Sequence, residues 1–265
     1  MNKTLFAKEL RANLFVSGII AAVLAMYIGT IVAMYDPKLG ESLDLMMQSM
    51  PELFAAFGMS MQATTLLEFM LNYLYGFLLT IFILVLILVM VNKLMVRYLD
   101  RGAMAYLLAT PNSRTRIALT MVGVMVTILV ALMAVVTALE AGFAEALFSG
   151  ELDMQALMQV NAGLLALWLA MAGLCFLSAC LFSNATAALW VGGGLNILFF
   201  LMQMISQVGD KFEFLKNVNP LTLFDYYGLA AGDASAVGGA IALAVGAVAL
   251  FAVAVAAFDR RDLSI

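Results

Sequence analysis

The sequence predicts an all-α membrane protein, a single domain over residues 1–265 with six transmembrane helices, an N-terminal interfacial helix and a short helix in a cytoplasmic loop. Three observations predict it. The 265 residues are 65% hydrophobic and 11% charged, with a mean hydropathy of +1.05, whereas soluble domains carry about 25% charged residues. Six uncharged stretches, 14–35, 69–91, 117–139, 161–182, 185–208 and 235–258, reach about 20 residues, enough to cross a bilayer core. The cations, finally, are shared unequally between the connecting segments, which sets the sidedness of the chain.

In chain order, residues 3–13 place Leu5, Phe6 and Leu10 near one side of a helix and Lys3, Lys8 and Arg11 around the other, the pattern of a helix lying on the inner leaflet. The first span exceeds the roughly 7 to 15 apolar residues of a secretory signal and no cleavage site stands out, so it is read as retained. Glu68 follows Thr64 and Thr65 at a helix start, where a carboxylate suits the dipole, and the second span begins there. Asn112 or Ser113 caps the third span. Glu68 and Glu140 are read as residues of the outer span boundaries.

Between the fourth and fifth spans stand only Ser183 and Asn184, so these helices form an antiparallel hairpin. Cys175 and Cys180, five residues apart, fall on different faces of the fourth span and serve as packing residues, without a disulfide. Gly192, Gly193 and Gly194 either let the fifth span pack closely or loosen it as a hinge, and packing is the favoured reading. Gly238, Ala242 and Gly246 let the sixth approach its neighbours, and this small-residue row is read as packing on them. Outside the membrane, 36–68 is expected to hold short interfacial helices. Segment 209–234 contains the turn signal Asn219-Pro220 and the aromatics Phe224, Tyr226 and Tyr227, which suit the membrane interface.

With both termini inside, Lys3, Lys8, Arg11, Lys93, Arg97, Arg101, Arg114, Arg116, Arg260 and Arg261 are cytoplasmic, and only Lys38, Lys211 and Lys216 are outside. Ten against three is the positive-inside distribution.

Catalytic chemistry finds little to use. The chain has no His, the commonest metal ligand and general base, and its carboxylates are scattered. No Asp, Glu, Lys or Arg falls near the middle of a span, where such residues mark ion pathways. Ser178 and Thr127 are read as bonding back to their own helices, and Asn72, Asn196 and Gln203 as bonding between helices. No phosphate loop of the Gly-x-x-x-x-Gly-Lys-Ser/Thr type occurs. We therefore expect no catalytic, cofactor or metal residues in this chain, and energy for vectorial work supplied by a separate ATPase on the cytoplasmic face.

The segment open to such a partner is the basic loop 92–116, which holds Lys93, Arg97, Arg101, Arg114 and Arg116. Within it Leu99, Ala103, Tyr106 and Leu107 recur at helical spacing, so a helix here carries one apolar face, and Pro111 stops it. Arg114 and Arg116 fall in the first turn of the third span, where the helix dipole disfavours cations. Anionic headgroups or a partner's carboxylates are expected to hold them. Taken alone, the loop suits a plain positive-inside surface helix and a docking element equally.

A resemblance moves the balance. Gly102, Leu107, Leu108 and Pro111-Asn112-Ser113-Arg114 after the second span are similar to the cytoplasmic loop of type-2 ABC exporter permeases, roughly Gly-x-x-x-x-Leu-Leu-x-x-Pro-x-Ser-Arg. The tail Phe258-Asp259-Arg260-Arg261-Asp262-Leu263 resembles that family's ending, Phe-x-x-Arg-Asp-Leu, and the six-span plan agrees over nearly the whole chain. The resemblance implies a non-catalytic permease subunit in the plasma membrane (the bacterial inner membrane), with both termini cytoplasmic. It implies a second permease subunit, the same or different, and an ABC ATP-binding subunit that carries ATP and magnesium. Membrane lipids are further partners; nucleic acid is not. By position Leu99, Asp100, Arg101, Gly102, Ala103, Tyr106, Leu107 and Arg114 would dock the ATPase, through a coupling helix. Family members often have Glu where this chain has Asp100 and Arg101. The competing readings are an ATPase-independent secondary carrier or channel, an intramembrane enzyme and a membrane scaffold.

Overall fold

The computed structural model describes residues 1–35, 49–57, 63–100, 113–182, 184–208 and 210–261; of 99, 100, 210, 211 and 213 it describes the backbone alone. Among the described residues every regular element is helical, and six helices are long and apolar enough to cross a membrane. They are α1 (Lys3–Met34), α2 (Leu78–Val96), α3 (Arg114–Leu147), α4 (Met154–Leu181), α5 (Ala185–Ser206) and α6 (Ala234–Arg260). All six spans are present. Because six antiparallel spans are even in number, both termini lie at one end of the bundle, here called the terminal end; the other is the distal end.

The helices overrun the hydropathy windows wherever polar residues keep good helix propensity. α3 has 34 residues, about 51 Å at 1.5 Å per residue, well beyond the roughly 30 Å of hydrocarbon a span must cross. Ser113 caps it, accepting from the backbone N–H of Arg116 at 3.2 Å. α1 runs unbroken from Lys3, capped by Asn2, so residues 3–13 are not set off as a helix of their own. Their buried row is not the expected Leu-Phe-Leu face either. It is Leu5, Glu9, Asn13 and Ser17, four residues apart and continued by Ile20, Leu24, Ile28 and Val32.

The second span is the irregular one. A short helix Leu66–Met70 passes into a π-helical turn, Leu71–Tyr75, then breaks at Gly76 and Phe77 before α2 begins. A second π turn, Asn92–Val96, ends α2 and leads into the helix Arg97–Asp100. Such turns re-aim side chains by adding a residue to a helical repeat and are frequent at functional sites.

α4 is the centre of the bundle. Trp168 and Phe176 are fully buried on it, α6 packs along it, and α5 returns beside it from the hairpin at Asn184, whose side chain caps α5. Glycine brings α5 close to two neighbours: a Cβ on Gly192 would stand 2.8 Å from Cα of Cys175 on α4, and one on Gly193 would stand 2.7 Å from Leu88 on α2. Gly194 has open space around it and takes no part in this packing. The row Gly238, Ala242 and Gly246 also differs from expectation: Gly238 and Gly246 meet nothing within 4 Å. α6 instead packs through Ala236, Leu243, Ala247 and Phe251, with Leu250 and Ala247 against Gly173 of α4. Phe15, Trp190 and Val248, on α1, α5 and α6, point away from the bundle, as lipid-facing residues would.

At the distal end Phe224 and Tyr226 turn inward rather than toward an interface, while Phe212 and Phe214 of the same segment are exposed. Phe224 and Tyr226 are buried, Tyr226 stacks near Tyr75, and the Tyr227 hydroxyl donates to Asn72. Asn219 caps the turn at Pro220 and donates to the Phe199 carbonyl at 2.9 Å and to Gln203 Oε1 at 3.2 Å. Of the segment 36–68, expected to hold interfacial helices, the helix Pro51–Ala56 is described and its residues are at most half-buried.

Candidate functional site

The basic loop enters the described structure only at its two ends, and both are anchored. At its start, Tyr98 on the helix Arg97–Asp100 donates to Glu9 Oε1 at 2.6 Å, and Lys93 Nζ donates to the Ala12 carbonyl at 3.3 Å. Glu9 is buried although Lys8 beside it is not, and Lys8 Nζ lies 3.7 Å from the Glu9 carboxylate. Burial pushes the Tyr98 phenol above its ordinary value, and its bond to Glu9 acts in the same direction. The phenol therefore stays a donor to the carboxylate throughout the physiological range.

At the end of the loop, Arg114 donates from its guanidinium to the backbone carbonyl of Arg261, the residue that closes α6. The next residue, Thr115, donates to Asp259 Oδ1 at 2.7 Å. Arg261 in turn donates to the carbonyls of Ala179, Cys180 and Phe182 at 3.4, 3.0 and 2.9 Å. These are orphan carbonyls at the C-terminus of α4, where a cation is favoured both as a donor and by the dipole. Arg114, a cation in the first turn of α3, thus bonds to the carbonyl end of another helix, α6. Arg116 remains exposed.

Of the docking residues expected from the sequence, Arg114 is therefore placed, and Leu99 and Asp100 are placed by backbone alone at the end of the helix Arg97–Asp100. Arg101, Gly102, Ala103, Tyr106 and Leu107 lie outside the described residues. What the structure brings together is the frame around them. The loop start is bound to α1, and the loop end to α6 and through Arg261 to α4.

The distal end holds a second polar centre that the sequence reading missed. Glu140 is not a boundary residue: it is completely buried, inside α3 rather than at its end. Tyr75 Oη lies 3.0 Å from its Oε1 and 2.6 Å from Asn161 Oδ1. Asn161 Nδ2 lies 2.8 Å from Glu140 Oε2 and 2.9 Å from Thr137 Oγ1. The hydropathy window ended at the first carboxylate, although the helix pattern continues through residues 141–147. The available signal was this continuing periodicity, together with Tyr75 and Asn161 in facing spans.

The distal end also holds a cavity of about 500 Å3 lined by Glu68, Glu151, Asp153, Asp225, Asp233 and Tyr227, among others. Its acids are occupied as helix caps where bonds are described: Asp153 accepts from Ala156, Asp225 from Gly228, and Glu68 completes a capping box with Thr65. Burial pushes the Glu68 carboxyl up, but hydrogen bonds from Thr64 and Thr65 outweigh it and hold the group below its usual value. Among the described residues no group of three His, Cys, Asp or Glu side chains is arranged to hold a metal ion.

The amides behave as structural bonds. Asn196 donates to the Gly192 carbonyl at 2.9 Å and the Met171 carbonyl at 3.3 Å, while Asn72 and Gln203 accept from Tyr227 and Asn219. Thr127 bonds back to the Gly123 carbonyl, but Ser178 does not bond to its own helix: it donates across the hairpin to the Ala188 carbonyl at 2.8 Å. Both cysteines are free and buried. Compared with family models, with curated proteins and with solved structures, the chain matches none.

Proposed function

We propose that the chain is the membrane-spanning permease subunit of an ATP-driven ABC exporter, forming the translocation path and taking energy from a separate ATP-binding subunit through the loop 92–116. In this reading the ATPase carries ATP and magnesium, a second permease subunit completes the path, and both termini are cytoplasmic in a bacterial inner membrane. The chain itself does no covalent chemistry. Leu99, Asp100, Arg101, Gly102, Ala103, Tyr106, Leu107 and Arg114 form the docking region, the apolar members anchoring a coupling helix in a groove of the ATPase.

The observation that supports it is the meeting of the two family-like motifs. The loop motif ends at Arg114 and the tail motif contains Asp259 and Arg261, and Arg114 and Thr115 bond to Arg261 and Asp259. A push on the loop would pass into α3 directly, into α6 through these bonds, and into α4 through the Arg261 guanidinium. Rigid helices carry such a displacement along their length.

The test is co-purification of the tagged chain from its native membrane, followed by assay of ATP hydrolysis. An ATP-binding subunit is expected to accompany the wild-type chain, and Leu107→Asp is expected to reduce its recovery at least tenfold while the variant still inserts. Undiminished recovery with the variant would sink the docking assignment. A wild-type chain that transports with no ATPase attached would favour a second reading, an ion-coupled carrier. One observation speaks for that carrier: a buried ionisable residue, Glu140, where spans usually hold none.

A further inference from the structure

The contacts around Glu140 do not balance unless its carboxyl carries a hydrogen. Five polar contacts join the centre: Tyr75 to Glu140, Tyr75 to Asn161, Asn161 to Glu140, Asn161 to Thr137, and Thr137 to the Met133 carbonyl at 3.0 Å. Each needs one hydrogen. The Tyr75 hydroxyl supplies one, the Asn161 amide two and the Thr137 hydroxyl one, four in all. Rotating the amide does not help. With its oxygen turned to Glu140 and Thr137, one amide hydrogen loses its acceptor and the shortage grows to two.

A carboxylic acid at Glu140 closes the ring. Its Oε1 hydroxyl donates to Tyr75 Oη, Tyr75 donates to Asn161 Oδ1, and Asn161 Nδ2 donates back to Glu140 Oε2. The second amide hydrogen goes to Thr137, and the Thr137 hydroxyl to the Met133 carbonyl. Every polar atom is then paired with a hydrogen between each donor and acceptor.

We propose that Glu140, Tyr75 and Asn161 form a proton-binding site that clamps the distal parts of α3, α4 and the π turn ahead of α2 when the proton is bound. The surroundings suit a neutral acid. Tyr75 faces the carboxyl from the π turn, Asn161 from α4 and Thr137 from its own helix, and Tyr226 stands behind Tyr75 with ring centres 6.5 Å apart. Among the described residues no cation bonds to Glu140, and the described parts of α1 and α6, which pack on α3, bring no charged group to it. Loss of the proton leaves one contact without a hydrogen and a bare carboxylate in a fully buried place, a costly state. The three segments must then part and admit water or a cation. This proposal stands on the hydrogen count and does not depend on the exporter reading.

Infrared spectroscopy of the reconstituted full chain at neutral pH tests it. Wild type is expected to show a carboxylic-acid carbonyl band that shifts in heavy water, is lost in Glu140→Gln, and moves in Tyr75→Phe because its acceptor is gone. Absence of the band, or a band that neither substitution alters, would overturn the site. A measurement on stability adds a second arm, valid where the protein unfolds reversibly. The folded chain holds a proton that the unfolded chain releases, so stability should fall as pH rises above the ordinary carboxylate range. Glu140→Gln, which keeps a donor and an acceptor without titrating, should lose that part of the slope, and equal slopes for the two proteins would also overturn the proposal.

Discussion

Single residues decide how closely this bundle closes, and glycine shows it most sharply. Gly192 is where α5 meets the backbone of α4, so an added methyl would strike Cα of Cys175. We expect Gly192→Ala to destabilise the bundle by about 1–3 kcal/mol, the usual cost of overpacking. Gly194→Ala, in open space, should be neutral or stabilising by up to about 1 kcal/mol from helix propensity. Unfolding of both variants in the same detergent checks the contrast; equal losses would refute the close contact. The three glycines are equivalent in the sequence, because their difference lies in which neighbour stands opposite each. Glu140 teaches the same lesson: a carboxylate at the edge of a hydropathy window is a boundary residue or a core residue according to what the adjacent helices present, and here they present Tyr75 and Asn161.

Elements start where their caps say they should, and this part was legible. Ser113, Asn184 and the pair Thr65 and Glu68 cap helices at positions readable from residue type. We expect Thr65→Ala to cost about 1 kcal/mol, the ordinary value of a lost N-cap. The sign of the Glu68 effect follows from its lowered titration. Its stabilisation is present above the ordinary carboxylate value, near pH ~4.3, and is lost as pH falls through the lower folded value. Thermal unfolding of wild type and Glu68→Gln should therefore differ at neutral pH and converge in acid, and a difference constant with pH would refute the assignment. The two π turns of the second span were not legible. Their residues, Leu71–Tyr75 and Asn92–Val96, continue the helical run and carry no local signal for an inserted residue.

At the scale of the molecule, the distribution of cations makes a claim about sidedness that accessible cysteines can test. The native Cys175 and Cys180 are buried, so a single engineered cysteine reports alone. An impermeant maleimide added to intact cells is expected to label Lys216→Cys and not Lys8→Cys; the reverse pattern would invert the topology. The number of long apolar helices, the helical hairpin at Asn184 and the absence of a disulfide followed from composition and periodicity, because lipid forces each crossing segment to satisfy its own backbone bonds within a helix. Tertiary structure alone decided which face of each helix is covered. It turned the small-residue row of α6 outward, drew Phe224 and Tyr226 inward, bound Arg114 to the far end of α6, and enclosed Glu140. The physical reason is that an apolar helix can be equally content against lipid or protein, so its own residues set that it crosses the membrane but not what it meets there. Polar groups are different: a buried one calls for a specific partner, and the partners that join Glu140 to Asn161 and Arg114 to Arg261 come from segments 21 and 147 residues away.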